Sequence, residues 1–166
     1  LSKGFSIIND ISAGRYDSNI FNVVKDYNAG YILMHMLGDP ENMQKNPEYD
    51  NVVKSIQIFL KTKILKLEEL GFNNIIIDPG FGFGKSIDDN FKILKELKSF
   101  QSLNRPIIVG LSRKSMIYKT LSITPEESLN GTTALNILAL ERGANILRVH
   151  DAKEALQCIS LLKKLN

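Results

Sequence analysis

The sequence predicts an α/β fold in which five strand–helix units form part of a (β/α)8, TIM-type barrel, and three observations lead there. First, short apolar runs recur, each followed by a polar turn and an amphipathic stretch. Second, the runs are too short for helices and rich in Ile, Leu and Val, as buried parallel strands are. Third, every run ends in chemically useful side chains. In a barrel all C-terminal strand ends face one shared site, whereas a doubly wound sheet offers only those at its switch point. Polar groups at every strand end therefore favour the barrel. Five units do not close eight strands, so further sequence is expected upstream.

In chain order, Phe5–Asn9 is the first strand, ending at Asn9 and Asp10, and Tyr31–His35 is the second. From Asp50 to Leu70, residues Val53, Ile56, Phe59, Leu60, Ile64, Leu67 and Leu70 fall on one helical stripe, and Gly71 supplies the stop. Ile75–Asp78 is the third strand. Pro106–Leu111 is the fourth, running into Ser112, Arg113 and Lys114. Thr124, Pro125, Glu126 and Glu127 open a helix: a capping hydroxyl, a proline at the first position and a glutamate that completes the capping box. Ile146–His150 is the fifth strand, with Arg148, His150 and Asp151 at its end. Asp151 and Glu154 repeat the capping device for the last helix. Its buried face reads as Ala155, Leu156, Ile159, Leu162 and Leu165, with Cys158 beside it as a small packed hydrophobe.

The chain reads as one domain over its 166 residues. Its net charge of +3, from 21 Lys and Arg against 18 Asp and Glu, is too mild to imply binding to nucleic acid or a membrane surface. One cysteine excludes an internal disulfide and suits a reducing, cytoplasmic location. No apolar run is long enough to span a bilayer and no signal peptide is visible. The first residue is Leu1 rather than Met, and strand-like sequence follows at once, so an upstream portion is expected to have been removed or left unrecorded.

Three constellations carry chemistry. In Asp78-Pro79-Gly80-Phe81-Gly82-Phe83-Gly84-Lys85-Ser86 a P-loop fails by position, because Pro79 stands where the leading glycine belongs. The glycines run G-x-G-x-G, which is not the dinucleotide spacing either. They let the backbone approach a flat ligand closely, or else merely form a tight strand-to-helix turn. Asp78, at a buried strand end, needs donor partners, and two neighbouring N–H groups of a heterocycle match its two oxygens. Gly110-Leu111-Ser112-Arg113-Lys114-Ser115-Met116 sets two cations and two hydroxyls at a strand end, suited to anionic or carbonyl groups; the bland alternative is a solvated basic turn. Arg148 and His150, two apart in a strand, face one side and can converge on a phosphate, or serve as ion-pair partners. His35 faces opposite to Met34 and Met36 and reads as a satisfied structural histidine. Two histidines and one cysteine far apart make a zinc site improbable, and no G-x-S-x-G elbow exists.

In this order, Ile8-Asn9-Asp10-Ile11-Ser12-Ala13-Gly14, Leu33-Met34-His35-Met36 with Gly38, Pro40, Met43 and Gln44, Asp78 through Lys85, Gly110 through Met116 and Arg148 through Asp151 resemble the dihydropteroate synthases over essentially the whole chain. The resemblance implies an eight-stranded α/β barrel of which only the last five strand–helix units are present. It implies condensation of 6-hydroxymethyl-7,8-dihydropterin diphosphate with para-aminobenzoate, release of pyrophosphate, Mg²⁺ on the phosphates, sulfonamides as aminobenzoate mimics and a homodimer when complete. Carried over, Asn9 and Asp78 bond the pterin edge. Met34 and Phe83 pack near its ring, while Gly82 and Gly110 give it room. Lys114 bonds the pterin carbonyl or a ring nitrogen and walls the aminobenzoate site. Ser115 contacts the aminobenzoate carboxylate, Ser112 lines the pocket, and Arg148 and His150 hold the β-phosphate. The catalytic set is thus Lys114, Arg148 and His150. The family's first strand with its Mg²⁺-binding Asn, its first two active-site loops and its third strand have no counterpart here, so the chain alone is expected to be inactive. Two alternatives stand beside this reading: a methyltetrahydrofolate-binding methyltransferase of the related pterin-binding group, which needs no diphosphate clamp, and an inactive fragment.

Overall fold

The computed structural model describes residues 1–41, 43 and 47–165. Its elements alternate as expected: β1 (Ile7–Asp10), α1 (Ile20–Asp26), β2 (Gly30–Met34), α2 (Val52–Glu69), β3 (Ile75–Asp78), α3 (Ile87–Lys95), β4 (Ile108–Val109), α4 (Ser115–Leu121), α5 (Leu129–Glu141), β5 (Ile146–Leu147) and α6 (Ala152–Leu162). Strands β1, β2 and β3 pair in parallel in sequence order. A lone parallel bridge from Ile77 to Ile107 carries the sheet to β4, which pairs in parallel with β5. Strand order thus equals chain order with no reversal, which is the barrel's connectivity and excludes the doubly wound sheet. The first, fourth and fifth strands are shorter than the apolar runs that signal them, although the Arg148 N–H still donates to the Val109 carbonyl and the Ser6 carbonyl still accepts the Gly30 N–H, each at 2.8 Å.

Alternation along each strand separates two faces. One face packs on the helices. Tyr31, Leu33, Ile75, Ile77, Ile107 and Val109 join Val53, Ile56, Leu60, Ile64 and Leu67 of α2 and Ile93 and Leu94 of α3 in one core. The intervening residues point to the concave side, and there the strand ends carry Asn9, Asp78, Gly110 and Arg148. The expected α2 stripe is buried at Val53, Ile56, Leu60, Ile64 and Leu67 and half-buried at Phe59 and Leu70, and its stop is a left-handed cap. Gly71 has φ +77°, its N–H donates to the Glu68 carbonyl at 2.8 Å, and the Phe72 N–H reaches back to Leu67 at 3.0 Å.

Three local expectations change. The Thr124–Glu127 exchange forms, with the Glu127 carboxylate accepting the Thr124 N–H at 2.9 Å and the Thr124 hydroxyl accepting the Glu127 N–H at 3.4 Å. It opens a 3₁₀ turn, Glu126–Ser128, that leads into α5. Asp151 does not cap α6, because Arg113 occupies both its oxygens, at 3.0 and 2.8 Å. The buried face of α6 is Ala155 and Cys158, while Leu156 and Leu165 are 62% and 79% exposed. The helix touches α5 along a single narrow stripe, so leucines one step around the cylinder stay in water. Among the described residues no helix is long and apolar enough to cross a membrane.

Candidate active site

Asp78 ends β3 and is fully buried. A bare carboxylate there is costly, and two donors satisfy it. Its Oδ1 accepts the Gly80 N–H at 2.8 Å, and its Oδ2 accepts Arg148 Nη2 at 2.8 Å. The other terminal nitrogen of Arg148, Nη1, lies 3.4 Å from Asn9 Oδ1. The guanidinium lies across β4 because residue 110 has no side chain: a Cβ there would sit 2.8 Å from Arg148 Nη2. Met34, opposite Asp78 in the ladder, is buried beneath this group. Side chains from β1, β2, β3 and the end of β5 are thereby gathered over the glycine of β4.

The segment after β3 closes one side. Lys114 Nζ donates to the Phe81 carbonyl at 2.6 Å and stands 4.5 Å from the centre of the Phe83 ring, a cation–π geometry. Gly82, at φ +81°, is the residue Lys114 crosses; a Cβ there would approach its Cδ to 3.1 Å. Burial lowers the Lys114 pKa against the attraction of Asp78. On the other side the buried Ser112 hydroxyl lies 3.0 Å from His150 Nδ1 and accepts the His150 N–H at 3.3 Å. A cleft of about 390 Å³ opens between, lined by Asn9, Phe83, Gly110, Ser112 and Lys114 together with Arg148 and His150. A larger cavity of about 880 Å³ lies on the helix side near His35 and Tyr49. Among the described residues its polar lining includes Glu48, Asp50 and Asp89 and no Lys or Arg.

Most of the residues singled out from the sequence thus converge on one place. Ser115, the first residue of α4, is half-buried and, like Met34, Asp78 and Gly82, is not among the residues that line the cleft. Arg113 turns away from the site in a left-handed conformation, φ +54°, to bond Asp151 and the carbonyls of Pro125 and Glu126. Of the two adjacent cations only Lys114 serves the cleft. His35 points to the helices, 5.0 Å from the Phe59 ring edge-on, and burial followed by the charge of Lys85 pushes its pKa down to about 3. Gln44 lies outside the described residues. Sequence reasoning assigned no role to Lys85, Asn90 or Asp10. The Asn90 side chain accepts the Gly82 N–H at 2.7 Å, and Asp10 binds the Ser12 and Gly14 N–H groups and the Tyr31 hydroxyl, each at 2.7 Å. Among the described residues no group of three or more His, Cys, Asp or Glu side chains gathers to hold a metal. Asp78, the buried carboxylate behind Arg148, is already bonded on both oxygens. The residues present do not form a Mg²⁺ cage.

Chemically the site pairs two acceptors, the buried Asp78 and the exposed Asn9, with a donor set of Lys114, Arg148, His150 and Ser112. The first suits the N–H edge of a heterocycle, and the second suits carbonyl and anionic oxygens.

Comparison with known proteins identifies the family. The family described as pterin binding enzyme matches residues 1–150. The dihydropteroate synthase of Escherichia coli strain K12 is 36% identical over 162 residues, 96% of this chain and 57% of that protein. The bifunctional dihydropteroate synthase/dihydropteroate reductase of Helicobacter pylori is 38% identical over 165 residues, 99% of this chain and 43% of its own length. Among solved structures, the Yersinia pestis dihydropteroate synthase with a sulfonamide drug complex superposes with a TM-score of 0.95 at 33% identity, over 99% of this chain and 60% of that one. The Xanthomonas albilineans dihydropteroate synthase in complex with 7,8-dihydropteroate gives 0.90 at 35%, again over 99% and 60%. The chain therefore spans little more than half the length of its Escherichia coli relative. With a family match over residues 1–150 and relatives about one third identical over nearly its whole length, this chain belongs to the pterin-binding enzymes, and the relatives it resembles are dihydropteroate synthases.

Proposed function

We propose that this chain carries the pterin and diphosphate half of a dihydropteroate synthase site. The observation that supports it best is the buried carboxylate of Asp78 bonded to the Arg148 guanidinium, which itself lines the cleft. A ligand with adjacent N–H groups at one end and an anion at the other meets both demands. In this reading Asp78 and Asn9 accept from the pterin edge, Met34 lies under the ring and Phe83 beside it. Gly82 and Gly110 keep the floor low, and Lys114 donates to the pterin carbonyl or a ring nitrogen. Arg148 and His150 hold the β-phosphate, with Ser112 orienting His150. Ser115 is assigned the aminobenzoate carboxylate and is the most peripheral of the set.

The reaction breaks the bond between the pterin methylene carbon and the diphosphate oxygen. It forms a carbon–nitrogen bond to the aminobenzoate amine, which loses a proton. Negative charge grows on the departing pyrophosphate, so pre-placed cations stabilise the transition state more than the ground state. Magnesium on the diphosphate would take its main protein ligand from the family's first strand, which has no counterpart among these residues, and would help neutralise the leaving group. A cytoplasmic homodimer is the setting that accompanies this reading; the exposed Leu156 and Leu161 of α6 offer an apolar patch for self-association. A methyltetrahydrofolate-binding methyltransferase would use Asn9 and Asp78 alike, but the Lys114, Arg148 and His150 donors would have no anion to meet.

Calorimetric titration of the chain with a dihydropterin and, separately, with pyrophosphate tests the reading. Binding of both, each weakened by its own substitution (Asp78→Asn, Arg148→Ala), is expected. Pterin binding without pyrophosphate binding would favour the methyltransferase, and binding of neither would overturn the proposal.

A further inference from the structure

Lys85 is 3% exposed, and the reaction as described gives it no task. Burying an ammonium is expensive unless each proton has an acceptor. Here Nζ donates to the Gly80 carbonyl at 2.8 Å and the Phe83 carbonyl at 2.9 Å, lies 3.1 Å from His35 Nδ1, and reaches the His35 carbonyl at 3.4 Å. Two of these acceptors belong to the loop after β3 and two to the end of β2. The loop also seats directly on β2: a Cβ on Gly80 would fall 1.9 Å from the His35 carbonyl oxygen. The neutral imidazole of His35 fits an acceptor role at Nδ1, with its proton on Nε2.

The far side of the same loop is the cleft wall. The Phe83 carbonyl is bonded to Lys85 while the Phe83 ring lies under Lys114, and the Phe81 carbonyl accepts Lys114 at 2.6 Å. Two lysines therefore hold one loop from opposite sides. One is sealed in the barrel wall, and the other faces ligand. An apolar side chain at position 85 would leave the Gly80 and Phe83 carbonyls without this donor and the loop free to move.

We infer that Lys85, seated against His35, is a positioning residue that fixes the Phe83 ring and the Lys114 ammonium for the ligand in the cleft. Burial pushes its ammonium down to about 7, opposed by the attraction of Asp78. The inference rests on the proposed pterin site only for its binding arm.

The test is Lys85→Met, read two ways in the full 166-residue chain. In the wild type, the ε-protons of Lys114 should be shifted upfield by the Phe83 ring current. In the variant that shift should collapse, and affinity for a dihydropterin should fall on the order of tenfold or more, the loss of one charged hydrogen bond's worth of order. Resonances of the remote edge-on pair Phe21–Tyr31, 5.8 Å apart, should stay put. An unchanged Lys114 shift would overturn the inference. So would a collapse in which Phe21 and Tyr31 move equally, since that marks a general structural role. A wild type that binds no dihydropterin would sink the functional reading and leave the ring-current arm to decide this one. Should Lys85→Met not fold, the wild type decides by titration. The Lys114 shift must relax in step with the ε-carbon signal of Lys85. A step that follows His35, Asp78, Asp89 or Lys114 itself, the titratable groups that face Lys85, would overturn it.

Discussion

Arg148 Nη2 lies 2.8 Å from Asp78 Oδ2, so the cation assigned to phosphate and the carboxylate assigned to the heterocycle are each other's partner. Asp78 Oδ1 is committed to the Gly80 N–H, which leaves Oδ2 as the oxygen under competition. A heterocycle that uses Oδ2 displaces the guanidinium, and an anion that draws Arg148 away releases Oδ2. The two ligand subsites are therefore expected to favour each other, and by thermodynamic linkage the effect is reciprocal. Pyrophosphate should tighten dihydropterin binding, and dihydropterin should tighten pyrophosphate binding by the same factor. Calorimetry with one ligand pre-saturated measures both factors, and independence of the two would show that the ion pair stays closed.

Arg148→Ala separates the roles. Pyrophosphate affinity should fall roughly ten- to hundredfold, the loss of a charge-assisted hydrogen bond worth about 1.5–3 kcal/mol. Free dihydropterin affinity should hold or rise, because a competitor for Asp78 is gone. The coupling described above should vanish. Equal losses for both ligands would remove Arg148 from the phosphate subsite.

Asp78→Asn turns an acceptor into a donor that faces Arg148 and the heterocycle's N–H groups. Dihydropterin affinity should drop by about tenfold or more. Isothermal titration of the variant checks it, and unchanged affinity would take Asp78 out of the site.

Two glycine substitutions should fail in different ways. Gly80→Ala puts a Cβ 1.9 Å from the His35 backbone oxygen at φ +73°, so neither neighbour nor backbone can yield cheaply. Denaturation should show a stability loss of about 1–3 kcal/mol or more. Gly110→Ala puts a Cβ 2.8 Å from the Arg148 guanidinium, the far end of a flexible side chain. Stability should change little while pyrophosphate affinity falls. The reverse pattern would contradict the packing described for both loops.

The buried His35 predicts acid sensitivity. Its pKa is pushed from 6.5 to about 3, so between these values the unfolded chain binds a proton that the folded chain refuses. Stability should therefore fall as pH drops through that window, by up to about 1.4 kcal/mol per pH unit. Asp10 adds to the loss at the acid end: burial opposes ionisation, but bonds from Ser12 and Tyr31 outweigh it and hold its carboxyl low. His35→Gln keeps an acceptor for Lys85 and removes the titration. Its unfolding free energy should show a shallower slope over the same range, measured by urea denaturation at several pH values.

The strands and the convergence of their ends were legible because parallel strands alternate apolar runs with polar tips, and a barrel brings every tip to one side. The α2 stripe and its Gly71 stop were legible for the same local reasons. What stayed hidden depended on partners distant in sequence. Arg113 and Lys114 are adjacent and chemically alike, and only the left-handed turn at Arg113 and the pull of Asp151 send them to opposite sides. Asp151 looked like a helix cap because its local spacing is right; a guanidinium 38 residues away outbids the backbone. Lys85 drew no role from the sequence, since burial of its ammonium depends on carbonyls that only the folded loop presents. The leucines of α6 fit a helical period, but the period does not say how wide a stripe the neighbour covers.

The parity of the strands gives each barrel position a single employer. Asn9 and Asp10, Met34 and His35, Ile77 and Asp78 are neighbours in the chain, yet the first, third and sixth of these lie on the concave face and the others on the face toward the helices. A saturation-mutagenesis map of this protein should accordingly show sensitivity that alternates from one residue to the next near each strand end. One set should lose ligand and keep its melting temperature. The other should lose its melting temperature first. Adaptive change in ligand preference can then accumulate at every second position without disturbing the wall behind it.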